Sequence, residues 1–75
     1  MTGKEATKTI MKDRGYTYKT LADKLGYAHH SSVSERLKEA SADMRVDTLV
    51  KMLEAMDCEL VVRSKLKDKK EWRIQ

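Results

Sequence analysis

The sequence predicts a mainly α-helical domain closed by a short C-terminal β-hairpin. Three observations lead there. Apolar residues recur at helical spacing in four successive segments, glycines stand where the first two segments end, and a β-branched run appears only after Asp57. With 75 residues the chain has room for one small core, so residues 58–75 are read as an extension of the domain formed by residues 1–57. That core must be aliphatic, because there is no Phe and the aromatic residues are Tyr16, Tyr18, Tyr27 and Trp72.

Residues 4–14, KEATKTIMKDR, set Ala6, Ile10 and Met11 on one side and Lys8, Lys12 and Asp13 outside, and Gly15 ends this first helix. Thr17 is a good N-cap for the second helix, which carries Leu21, Ala22 and Leu25 on its inner face before Gly26 supplies a left-handed C-cap. Val33, Leu37 and Ala40 follow at i, i+4 and i+7, giving a third helix to about residue 40 with Ser34, Glu35 and Lys38 outward. Its start has two readings. Ser32 and Glu35 have capping-box spacing, whereas a start near His29 takes Ser31 and Ser32 into the first turn, and the earlier start is expected.

After the loop SADMR, the segment VDTLVKMLEAMD puts Val46, Leu49, Val50, Leu53 and Met56 on one stripe, with Asp47 placed for the N-terminal dipole. This stripe is read as core. Beyond it, CELVVR and EWRI flank the polar SKLKDKK, the pattern of a β-hairpin. A two-stranded hairpin is marginal in water, so it must pack on the helices or pair its free edge with another chain.

Charged residues are 37% of the chain and hydrophobic ones 40%, which fits a charge-rich folded domain rather than a disordered one. The net charge of +4 makes a polyanion partner plausible without deciding it; the segment 58–75 is the most basic, and its lysines Lys65, Lys67, Lys69 and Lys70 are read as a solubilising, edge-protecting turn. Short apolar runs exclude a membrane span, and MTGKEATKTIMKDRG lacks the apolar core of a signal peptide, so a cytoplasmic protein is expected. Cys58 stands alone and is read as a small core residue. His29, His30 and Cys58 have no metal-ligand spacing, so neither a metal nor another cofactor is expected. No nucleophile has an evident base partner, and Asp43, Asp47, Glu54 and Asp57 fall on solvated faces, which argues against an enzyme.

Two short helices joined through Gly26, the first buried by Leu21, Ala22 and Leu25 and the second by Val33 and Leu37, are what a helix-turn-helix needs. The second helix of such a pair enters the major groove while the first crosses the backbone. Thr17, Tyr18 and Lys19 at the start of the first helix are then phosphate-positioning candidates, because backbone N–H groups and the helix dipole attract anions there.

The stretches TYKTLADKLGY and SSVSERL, followed by RVDTLVKMLEAM, resemble the phage repressor and Cro-like (xenobiotic-response-element type) helix-turn-helix family over roughly residues 4–56. The resemblance implies a four- to five-helix lambda-repressor-like domain. It also implies base-edge candidates at His30, Ser31, Ser34 and Glu35, with Arg36 and Lys38 touching bases or phosphate and Arg45 lying near the backbone. The function implied is a sequence-specific double-stranded DNA-binding regulator, read as a repressor. It would act as a homodimer on an inverted repeat, with Leu60, Val62, Trp72 and Ile74 as dimer-contact candidates, through paired strands or the face of the fourth helix. The chain departs from the family pattern at Tyr18, where Gln is frequent, in a longer turn between Gly26 and Val33, and in having no Gln, Asn or Arg early in the recognition helix. Two alternatives follow: an antitoxin that binds a toxin protein and represses its own operon, or a protein-interaction module that keeps the fold without DNA affinity.

Overall fold

In the computed structural model, which describes residues 1–38 and 44–75, the order is α1 (Gly3–Arg14), α2 (Tyr18–Leu25), α3 (Ser31–Leu37), α4 (Val46–Ala55), β1 (Leu60–Arg63) and β2 (Glu71–Ile74). The chain is thus mainly helical with a small antiparallel hairpin, as the periodicity requires. α2 packs against α3 and α4, and α1 packs against α4 and α3. The shared core consists of Met11, Leu21, Ala22, Val33, Leu37, Met52, Leu53 and Met56.

α1 is capped by Thr2, whose hydroxyl accepts the Glu5 N–H at 3.1 Å, and ended by Gly15 at φ 74. Its inner face differs from the expected one. Lys4, Thr7 and Met11 are buried, while Ala6 and Ile10 are only half-buried. Thr7 tolerates the interior because its Oγ1 donates to the Gly3 carbonyl at 2.8 Å, satisfying the hydroxyl within its own helix. Lys4 tolerates it because its stem is apolar and its Nζ reaches the Lys38 carbonyl at 2.6 Å.

α2 is fixed at both ends. Thr17 and Thr20 form a reciprocal capping box, with the Thr20 N–H on Thr17 Oγ1 at 3.1 Å and the Thr17 N–H on Thr20 Oγ1 at 2.8 Å. Gly26 closes the helix at φ 78, as expected, and its N–H returns to the Ala22 and Asp23 carbonyls.

α3 takes the earlier of its two expected starts and ends sooner than expected. His30, next to His29, is its N-cap and carries no side-chain cap bond, and Ser31 and Ser32 lie inside the first turn, so the helix does not start late on a Ser32 cap. The His29 carbonyl accepts the Ser32 N–H and the His30 carbonyl accepts those of Val33 and Ser34, so the preceding turn itself nucleates the helix. The helix stops at Leu37, and Ala40, expected near its end, lies outside the described residues.

In α4, Val50, Met52 and Leu53 are buried, whereas Val46, expected on the core stripe, is 59% exposed. Val46 opens the helix, where the stripe has already passed the edge of the core, and Met52 fills the interior from the adjoining row. Asp57 follows at φ 59, a left-handed position usually given to Gly, and the Cys58 N–H returns to the Leu53 carbonyl at 2.8 Å. Cys58 is half-buried against the core.

The strands pair with Leu60 opposite Ile74, Val61 opposite Arg73, Val62 opposite Trp72 and Arg63 opposite Glu71. Leu60 and Ile74, at the base, are half-buried; the other strand residues are exposed. The hairpin is therefore anchored to the helices at one end and projects from them.

Candidate nucleic-acid interface

The α3 surface is divided by its burial. Val33 and Leu37 point into the core, so at helical spacing Ser31, Glu35 and Lys38 take the opposite, outward side. Ser34 is half-buried on one flank, its Oγ donating to the Ser31 carbonyl at 3.2 Å. Glu35 accepts from Lys38 Nζ at 2.7 Å, an exposed i, i+3 pair of little energetic weight that a ligand can exchange readily. Arg36 lies on the other flank. Its Nη1 donates to the Ser32 carbonyl at 2.7 Å and its guanidinium sits 5.2 Å from the centre of the Tyr27 ring, so it is directed back toward the α2–α3 connection. His30 is exposed at the head of the helix. Of the four base-edge candidates, Ser31 and Glu35 thus share one open face, with His30 and Ser34 at its margins.

The start of α2 is the second part of the site. The capping box consumes the hydroxyls of Thr17 and Thr20, which leaves the N–H groups of Tyr18 and Lys19 directed out of the helix end. Tyr18 is 40% exposed and Lys19 is exposed. Lys8 and Lys12 of α1 line a shallow groove with Met11, Tyr16, Thr17 and Tyr18, so two more cations stand at this helix end. Sequence reasoning placed these lysines outside the core and missed their convergence; the only signal was their i, i+4 spacing ahead of a tight Gly15 turn.

Arg45, the N-cap residue of α4, is exposed and lies 3.6 Å from Asp47. Lys24 stands 5.6 Å from the centre of the Tyr16 ring, and its interaction with the Tyr16 side chain, with the Asp57 charge beside it, holds its ammonium above the ordinary lysine value.

The four dimer-contact candidates fall on one face of the hairpin, because Leu60 and Val62 alternate with Val61 and Arg63 while Trp72 and Ile74 sit opposite them. Leu60 packs against the core, and Ile74 shares a groove with Val46 and Val50 of α4. Val62 and Trp72 are 48% and 53% exposed. Tyr16 and Tyr27 are half-buried against the core.

Among the described residues no group of three or more His, Cys, Asp or Glu is arranged to hold a metal ion, and no helix is long and apolar enough to cross a membrane. Asp47, Glu54 and Asp57 are exposed, and Asp43 lies outside the described residues. No family model, curated protein or solved structure matches the chain.

Proposed function

We propose that the chain is a sequence-specific double-stranded DNA-binding regulator of the repressor and Cro-like helix-turn-helix kind, acting as a homodimer that represses by occupying an inverted repeat. The observation that carries this reading is the α2–α3 pair: a short helix rigidly capped at both ends, with cations at its N-terminus, holding a second short helix whose outward side is polar. In this reading α3 enters the major groove, where Ser31 donates or accepts and Glu35 accepts from cytosine, with His30 and Ser34 at the margins. Lys38 is released from Glu35 to a phosphate or base. The Tyr18 and Lys19 N–H groups, with Lys8, Lys12 and Lys19 side chains, hold the backbone on one flank, and Arg45 holds it elsewhere. Arg36 acts through Tyr27 and the turn rather than by reading bases.

A second reading, a protein-interaction module without DNA affinity, is favoured by one feature: the outward α3 face has no Gln, Asn or Arg and keeps its only charges paired. An antitoxin would combine both activities and needs a toxin-type protein partner.

Selection of bound duplexes from a random library at near-physiological salt tests the proposal. Enrichment of an inverted repeat with half-sites about 34 Å apart is expected. Salt-sensitive background binding with no enriched sequence would overturn it in favour of the interaction module.

A further inference from the structure

Among the described residues neither strand edge of the hairpin is paired with a further strand, and the β1 edge is the more self-complementary of the two. The Ser64 N–H donates to the Lys70 carbonyl at 2.8 Å, which continues the β1–β2 register by one pair. Hydrogen-bonded and non-hydrogen-bonded pairs alternate in an antiparallel ladder, so Val62–Trp72 and Leu60–Ile74 are also bonded pairs. The backbone groups of Val61 and Arg63 on β1, and of Glu71 and Arg73 on β2, therefore point outward along the two edges.

We propose that a second copy of this chain adds to the β1 edge, antiparallel about a twofold axis through Val61, forming a four-stranded sheet with order β2-β1-β1-β2. A twofold axis perpendicular to the sheet pairs residues of the same face, so the register must centre on a residue. Centred on Val61, it sets Val61 opposite Val61, Leu60 opposite Val62, and Glu59 opposite Arg63. Centring one residue earlier sets Glu59 against Val61, and one residue later sets Arg63 against Val61. The β2 edge is poorer: centred on Trp72 it pairs Glu71 with Arg73 but sets Lys70 against Ile74, and centred on Arg73 it opposes two arginines.

The ion pairs already present extend the match. Arg63 Nε lies 2.9 Å from Glu71 and Arg73 Nε lies 2.8 Å from Glu59 within one chain. In the four-stranded sheet, charge alternates along one face from Glu71 through Arg63 to Glu59 and then Arg73 of the second copy. On the other face, Val62 comes opposite a Leu60 that rests against the second copy's helices, which supplies apolar neighbours to Val62 and Trp72. The inference deepens the dimeric part of the proposed function and rests on that part alone, since nothing in it requires DNA.

The test is sedimentation equilibrium of the full chain without DNA, alone and with charge reversals. The unaltered chain should be a dimer at tens of micromolar. Arg63→Glu and Glu59→Arg should each dimerise roughly tenfold more weakly or worse, because each sets like charges opposite across the axis. An equimolar mixture should recover the dimer, since one variant then offers two acidic positions to the other's two basic ones. Misfolding of either variant would not be rescued by mixing. A monomeric unaltered chain, unchanged dimerisation in both variants, or no recovery on mixing would each overturn the inference. Weakening by Glu71→Arg with no effect of Glu59→Arg would also overturn it, in favour of the β2 edge. A chain that passes this test but enriches no duplex retains the sheet and loses the DNA-binding reading.

Discussion

The Lys4 ammonium donates a hydrogen bond to the Lys38 carbonyl at 2.6 Å, joining the first turn of α1 to the end of α3 across 34 positions of sequence. Lys38 is the C-cap residue of α3, so a cation from another helix stands where unsatisfied carbonyls and the negative end of the dipole gather. Replacing Lys4 with Met keeps the apolar stem and removes the donor. Thermal unfolding should reveal a loss of about 1–2 kcal/mol, a fall of several degrees in Tm for a domain of this size. An unchanged Tm would mean that water replaces the ammonium without loss.

Gly26→Ala isolates backbone strain at the turn. A Cβ built at Gly26 meets nothing within 4 Å, so no clash contributes, and the φ of 78 alone should lower stability by about 1–2 kcal/mol. Denaturant unfolding should show a lower midpoint with an unchanged m-value.

Lys24 gives a pH signature. Its folded value is raised above 10.5, chiefly by the Tyr16 side chain. A raised cation stabilises the fold fully below its unfolded value, and this contribution is lost as pH rises through the folded value. The difference in Tm between the unaltered chain and Lys24→Gln should therefore be constant from neutral pH to about pH 9 and shrink in strongly alkaline solution. A difference that persists unchanged there would show that Lys24 contributes by packing alone.

If the chain binds DNA as proposed, Lys19→Ala should weaken binding to all duplexes alike and lower the salt slope by about one. Ser31→Ala and Glu35→Ala should instead change the preferred sequence. Equal effects on every sequence from the latter pair, measured by titration against the selected site and scrambled duplexes, would remove both from base reading.

Spacing alone located the inner residues of α2 and α3, because Leu21, Ala22, Val33 and Leu37 have no polar competitor on their side of the helix. Thr17 and Gly26 were equally legible, since capping depends on local chemistry. Thr7 and Lys4 were not. A threonine that satisfies itself inside its helix and a lysine whose partner is 34 positions away leave no periodic trace. The choice between Val46 and Met52 was also hidden, because the apolar residues of α4 span more than one row and only the neighbouring helices decide which row is covered. At the candidate interface, the outward side of α3 could be drawn from its sequence. The approach of Lys8 and Lys12 to α2 depends on the angle between helices and could not.

α3 is seven residues long and has no side-chain cap, well below the length at which a helix persists by itself in water. It exists because Val33 and Leu37 are held by a core that Met52 and Met56 complete. During synthesis, the outward side of α3 therefore acquires its shape only after residue 56 has been added, and a nascent chain ending earlier presents no formed surface to any partner. In the folded protein the same dependence should couple amide exchange in α3 to opening of the core beneath Val33 and Leu37, an expectation that native-state hydrogen exchange checks.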